Sequence, residues 1–420
     1  MKKFLLIVLT VLLLTLTVMP TVSFADEVPP TVNSEDLELK QFVKDLCALN
    51  AEDNDAGNNA GARNYLVSKF REALGESPDI EANESNVKSE YFSVDSNPYW
   101  NIVARLVKDG TQKQIIIGAH YDVTKGEGAA DNATGIAVLY YTMKTLAANA
   151  EKLPFNITFV AFDGEEKGLL GSTEFVKNLA NARQLSNTLV MFNIDSIALG
   201  DNLYLMCENK RTDLANAIIS NSDGITEKPY AKGTYGSLMD IFGYGYYEYI
   251  QGSDHTPFRL NEIPIAFLFS GTYSSSLWGF SENSDSSSQV INSAKDTFEN
   301  LEKSGVDYIG RIHTVSNAIA NTITSDGFAE VAENARDQLV NLNFWYNKWW
   351  ASLTILAILI VLAVLAWLYN RKLQKSALLG RAEIKTGKVF EKPDASEIFS
   401  FDDAKSNTQT DTDDIFTFKK

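Results

Sequence analysis

Ile157-Thr158-Phe159-Val160-Ala161-Phe162-Asp163-Gly164-Glu165-Glu166 is an apolar run that breaks off into acids. An uncharged stretch rich in β-branched and aromatic residues reads as a strand buried on both faces. The same design occurs upstream, where Ile115-Ile116-Ile117-Gly118-Ala119 leads into His120-Tyr121-Asp122. It recurs downstream, where Leu189-Val190-Met191-Phe192-Asn193-Ile194 leads into Asp195. Further strands are expected over residues 101–107, 203–206 and 263–269, with helical spacing of apolar residues over 135–146, 172–179 and 214–219. This alternation predicts an α/β fold with a mixed, centrally parallel sheet sandwiched by helices. Residues 34–74 read as helices with a polar break over 52–61, and the Ser-rich segment 274–288 reads as a long loop.

In such a sheet, ligand-binding groups gather beyond the carboxyl ends of the parallel strands. His120, Glu165, Glu166 and Asp195 all follow strands, and Asp131 lies in the loop after the first of them. Imidazole and carboxylates are the ligands of catalytic zinc. Neighbouring side chains leave an extended backbone in different directions, so Glu166 is expected to hold metal while Glu165 serves as general base toward water. Asp131, with two oxygens, suits a bridge between two ions, and Asp122 is placed to orient His120 through its second ring nitrogen.

His120-Tyr121-Asp122, Asp131-Asn132-Ala133-Thr134-Gly135, Glu165-Glu166, Asn193-Ile194-Asp195 and Ser253-Asp254-His255-Thr256-Pro257-Phe258 together resemble metallopeptidase family twenty-eight. This is the co-catalytic zinc aminopeptidase family, related to glutamate carboxypeptidases and glutaminyl cyclases. The resemblance covers about residues 36–325. It implies a zinc aminopeptidase-like sheet and two zinc ions bridged by Asp131, one also held by His120 and Asp195, the other by Glu166 and a final His. Asp254 and His255 correspond to an element that lines the substrate site.

The sequence departs from the family at the final His. The matching stretch, Ile291-Asn292-Ser293-Ala294-Lys295-Asp296-Thr297, keeps Asp-Thr but carries Asn292 in the ligand position. A neutral amide is a poor zinc ligand, so a second ion should be weakened or absent, leaving one or two. The chain has only 3 His. His313 sits within a helical pattern over 306–323 and reads as a structural or surface residue. The expected activity is hydrolysis of peptides by metal-activated water. Two alternatives remain open, a noncatalytic peptide-binding ectodomain and glutaminyl cyclisation.

The flanks place this domain at a membrane. Met1-Lys2-Lys3 followed by an apolar run and Ser23-Phe24-Ala25 reads as a signal peptide over 1–25. Residues 351–369 carry no charge, and at about 1.5 Å per residue they reach across a hydrocarbon core of roughly 30 Å. Trp345, Tyr346, Trp349 and Trp350 precede this run, Trp367 and Tyr369 close it, and Arg371, Lys372, Lys375 and Arg381 follow. Those belts and charges predict a single-pass protein at the cell membrane. The ectodomain, 26–325, and a stalk over 326–350 would lie outside, with a disordered cytoplasmic tail over 370–420. In that tail Glu397-Ile398-Phe399-Ser400-Phe401 recurs as Asp414-Ile415-Phe416-Thr417-Phe418, a candidate bivalent motif for a cytoplasmic protein. A net charge of -17 disfavours nucleic acid as a partner. The chain has 2 Cys, Cys47 and Cys207, whose pairing the sequence leaves open. Substrate selectivity would rest on walls supplied by residues 230–249 and the Ser-rich loop.

Overall fold

The structure is a computed structural model that describes residues 33–386, apart from 57–58, 78–80, 82, 208–212, 228–251, 277–278 and 283–289. The expected signal peptide, both Phe-containing tail motifs and the walls over 230–249 lie outside the described residues. The chain divides at Tyr346 and Asn347 into two compact units.

The first unit is built on an 8-stranded sheet in the order β1-β2-β4-β3-β5-β8-β6-β7. Its strands are β1 (Val87–Val94), β2 (Asn97–Leu106), β3 (Gln114–His120), β4 (Asn156–Phe162), β5 (Thr188–Ile194), β6 (Asn202–Cys207), β7 (Ile225–Glu227) and β8 (Ile265–Gly271). Strands β4, β3, β5 and β8 run parallel, whereas β2 and β6 join them antiparallel, giving the expected mixed, centrally parallel sheet. The reason is visible in burial: every residue of β5 is buried, and β3 and β4 are buried after their first residue. A strand covered on both faces needs apolar side chains on both, which is what the isoleucine and phenylalanine runs provide.

Helices cover both faces. One face carries α1 (Ser34–Ala56), α2 (Ala60–Ala73), α3 (Thr134–Ala148), α5 (Asp213–Ser220) and α8 (Tyr308–Thr324). The other carries α4 (Leu170–Asn181) and the short α6 (His255–Leu260), whose Phe175 and Phe258 pack on Phe162 of β4. Two further helices are α7 (Phe298–Lys303) and α9 (Phe328–Thr386). The polar break expected over 52–61 is narrower than its composition suggests, since α1 continues to Ala56 and α2 begins at Ala60.

Three elements depart from expectation. Strand β1 is half polar and alternates in burial, so it lacks the apolar run of the central strands. It pairs with β2 through a two-residue turn at Asp95 and Ser96, both at positive φ, the geometry that suits a tight hairpin. Within the Ser-rich segment, β9 (Tyr273–Ser276) and β10 (Gly279–Glu282) form an antiparallel pair, so that segment is not simply a loop. At the stretch expected as a stalk, Phe328, Ala332, Ala335 and Leu339 are buried one helical turn apart, and Arg336 donates to the Leu185 carbonyl at 2.6 Å. This spacing gives α9 an apolar stripe that docks on the sheet domain.

The second unit is helical through Thr386, beyond the expected end of the apolar run, and includes Leu353–Leu378, whose mean hydropathy is 2.4 with none of it buried. By length and composition this segment is able to cross a membrane. Residues 370–386, expected as disordered tail, continue the helix because they are rich in Leu, Lys, Arg and Ala and free of Pro.

Candidate metal centre

The carboxyl ends of β3 and β5, with the loop after β3, bring His120, Asp195 and Asp131 to one place. His120, the last residue of β3, is buried, and its Nε2 lies 3.1 Å from Asp131 Oδ1 and 3.5 Å from Asp195 Oδ1. One donor atom from each of the three lies within 4.8 Å of the others. On the far side of the ring, Nδ1 approaches the Asp122 carbonyl oxygen at 3.2 Å and the Asp122 carboxylate at 3.6 Å. The Asp122 carbonyl is thus nearer the second ring nitrogen than its carboxylate is, and the carboxylate has other partners. It accepts the Glu165 N–H at 2.9 Å and the Glu166 N–H at 3.1 Å, clamping the turn after β4. Gly164, at φ +70, allows that turn to fold back.

Asp163 anchors the same turn from behind. Its oxygens accept from Asn59 Nδ2 at 2.8 Å and from the Trp100 N–H at 2.9 Å. Gly171, next along α4, has no room for a side chain, because a Cβ would overlap Asn101 Oδ1 and the Asp163 carbonyl. Gly171→Ala should accordingly destabilise the domain by about 1–3 kcal/mol, the usual cost of overpacking. Chemical unfolding of the variant checks this, and an unchanged midpoint would contradict it.

Asp131 and Asp195 are held by residues to which sequence reading gave no role. Asp296 Oδ1 accepts the Ala130 N–H at 2.7 Å, and its Oδ2 accepts the Asp131 N–H at 3.0 Å. The Asp-Thr pair of the departing motif thus supports the neighbouring loop, while the Thr297 hydroxyl caps α7 by accepting the Asn300 N–H. Asn132 ties the loop after β3 to the end of β5 by donating to the Ile194 carbonyl at 2.9 Å and accepting from the Ser196 N–H at 3.2 Å. Ser253 donates to Asp195 Oδ2 at 2.7 Å and accepts from Asn193 Nδ2 at 2.8 Å. These partners come from distant segments, so only the repeated Asn, Ser and Asp at strand ends hinted at them.

Asp254 and His255 are both fully buried, and Asp254 is one of the charges acting on Glu165. The His255 ring stacks on Phe267 with centroids 4.5 Å apart, and its Nδ1 lies 3.2 Å from Asn193 Nδ2. His313 is remote in role: its Nε2 lies 2.8 Å from Asp36 Oδ1 and its ring meets Tyr141 edge-on, as a structural residue should. Cys47 and Cys207 are both buried, and no disulfide joins them.

The electrostatics identify what the site lacks from protein alone. Among the described residues, His120 is the only basic side chain within ion-pair distance of Asp131 or Asp195. Burial pushes Glu165 up to about 9 and Asp254 up to about 7, and it pushes Glu166 up to about 7 with help from Asp131. Burial acts against a charged His120, but the hydrogen bonds it donates to Asp122, Asp131 and Asp195 outweigh it and hold the imidazole well above its usual range. Burial likewise opposes the Asp195 charge, yet the His120 partner brings it down to about 2. A buried cluster of carboxylates around one imidazole is costly unless a cation joins it. His120, Asp131 and Asp195 therefore fit one zinc ion, with the mixed nitrogen and oxygen donors that catalytic zinc takes.

Residues 101–316 match the profile of peptidase family M28. The chain belongs to this family. It is 28% identical over 206 residues to the alkaline phosphatase isozyme conversion protein of Escherichia coli, covering 40% of this chain and 57% of that protein. It is 27% identical over 206 residues to aminopeptidase YwaD of Bacillus subtilis, covering 48% of this chain and 40% of that protein. The chain thus spans about half the length of these curated relatives. Among solved structures, the LapA aminopeptidase of Legionella pneumophila aligns with a TM-score of 0.47 and 18% identity, covering 70% of this chain and 75% of that one. The Asn292 side chain lies beside the Glu166 carboxylate, its amide 2.7 Å from both oxygens.

Proposed function

We propose that this protein is a metal-dependent peptidase of the aminopeptidase type, held at a membrane by its C-terminal helix and acting outside the cell. The convergence of His120, Asp131 and Asp195 at one point, with Glu165 fixed beside them, carries the reading. Zinc held by those three side chains would polarise a scissile carbonyl and lower the pKa of a bound water. The remaining chemistry belongs to the protein. Glu165 takes a proton from the attacking water and returns it to the leaving amine. Burial raises the proton affinity of Glu165, and the charge of a bound zinc would favour the ionised carboxylate that the first of these steps requires. Asp122 keeps Glu165 in place by accepting its backbone N–H, and keeps His120 in place from the other side.

Membrane attachment is supported by the unburied apolar segment Leu353–Leu378 and by the basic residues Arg371, Lys372 and Lys375 toward its end. The same charges favour an outward-facing peptidase domain. Protease added to intact cells should digest that domain and leave an epitope after residue 386 protected.

Aminoacyl amides and short peptides provide the enzymatic test. Release of the N-terminal residue, with resistance of the same peptides after N-acetylation, is the expected result. Absence of hydrolysis by the zinc-loaded full-length chain would defeat the reading, and ammonia release from an N-terminal Gln peptide without cleavage would replace it with cyclisation.

The titration of the site makes a second prediction. Without metal, Glu165 at about 9 and His120 held well above its usual range both retain protons at neutral pH. Zinc requires a neutral imidazole and favours ionised carboxylates, so binding must expel protons. Apparent zinc affinity should rise between about pH 6 and 8, with proton release visible by calorimetry in buffers of different ionisation enthalpy. A pH-independent affinity would contradict this.

A further inference from the structure

The position that the resemblance assigns to a second ion is formed by Glu166, Asp131 and residue 292. It does not fit zinc in this chain. With its nitrogen turned toward Glu166, the Asn292 amide lies 2.7 Å from both Glu166 oxygens and 3.1 Å from Thr124 Oγ1. The opposite orientation would set the amide oxygen against both oxygens of the Glu166 carboxylate, an arrangement that wastes the Asn donors and repels. The hydrogen-bonded orientation turns the two amide hydrogens toward these acceptors, with the Glu166 carboxylate the nearer. Among the described residues, the grouping able to hold an ion is His120, Asp131 and Asp195, and Glu166 is not part of it.

We infer that the Asn292 amide takes the place of the second cation, leaving a single-metal centre in which Glu166 is held by a hydrogen bond instead of an ion. This inference rests on the reading of the site as a metal centre. The NH₂ hydrogens supply the Glu166 carboxylate with hydrogen-bond donors, so that its oxygens are partnered without an ion. Asn292 has φ +56, a conformation that Asn tolerates better than most residues. Its loop is pinned independently of residue 292, by the Asp296 carboxylate on the Ala130 and Asp131 N–H groups and by the Asp296 carbonyl accepting the Glu127 N–H at 2.7 Å. His and Asp also accept positive φ more readily than most residues, so either is compatible with the backbone at this position.

Metal counting on the full-length chain tests the inference without reference to turnover. The protein is equilibrated with zinc, and separately with manganese, then desalted and measured for metal and protein. One ion per chain is expected for wild type and for Glu166→Gln. Asn292→His, which supplies an imidazole, and Asn292→Asp, which replaces the amide by a second carboxylate, should each gain a second ion. A wild-type count of two that falls to one in Glu166→Gln overturns the inference, since the Asn292 oxygen would then be serving a cation. So does a count of one in both Asn292 variants when their melting curves match wild type. A wild-type count of zero overturns the inference together with the function it rests on, whereas two ions with hydrolysis intact overturn the inference alone.

Discussion

Glu165→Gln should lower the rate of aminoacyl-amide hydrolysis by roughly 10²–10⁴, the usual contribution of a general base, while leaving zinc content unchanged. Glutamine preserves the length of the side chain and the N–H that Asp122 accepts at 2.9 Å, so the turn after β4 stays in place. What disappears is the capacity to take a proton from water and return it to the amine. The loss should fall chiefly on kcat, because the interaction is made in the transition state rather than in substrate binding. Steady-state kinetics beside metal analysis separates the effects. A variant retaining wild-type kcat, or one losing activity only in step with its zinc, would remove Glu165 from its assigned role.

His120→Ala should have the larger effect on metal. Its imidazole is the sole nitrogen donor in a cluster otherwise made of carboxylates, and it is buried between Asp131 and Asp195. Groups that merely orient ligands typically cost about 10–100-fold in metal affinity when removed. Removal of the ligand should exceed that range and abolish hydrolysis at zinc concentrations that saturate wild type. The variant also leaves two buried acids without their basic neighbour, so they should take up protons and the metal-free domain should remain folded. Competition against a chelating dye measures the affinity, and circular dichroism checks the fold. An affinity within tenfold of wild type would show that the ion is held elsewhere.

The central strands were legible because strands buried on both faces must be continuously apolar, and the change to His120, Glu165 or Asp195 marks where each leaves the core. The convergence of those residues was legible for the same reason: parallel neighbours end on the same edge of the sheet. Strand β1 was not, since an edge strand with one solvated face dilutes its apolar residues with Lys88, Ser89 and Glu90. The supporting contacts were also hidden, because Asp296 reaches Asp131 and Ser253 reaches Asp195 across long stretches of chain. Asn292 occupies an intermediate case. Its place beside Glu166 could be read from motif order, but the pairing of its amide with both carboxylate oxygens required the folded loop. The docking of Phe328 and Leu339 was masked by the strongly apolar segment that follows, which drew the whole helix toward a stalk-and-span reading.

The most direct measurement is the zinc dependence of hydrolysis by the full-length chain. After removal of metal by a chelator, release of the N-terminal residue from an aminoacyl amide should vanish, and it should return as zinc is added back. Hydrolysis that survives complete metal removal, or that never appears at any zinc concentration, would contradict the assignment of a metallopeptidase centre to His120, Asp131 and Asp195.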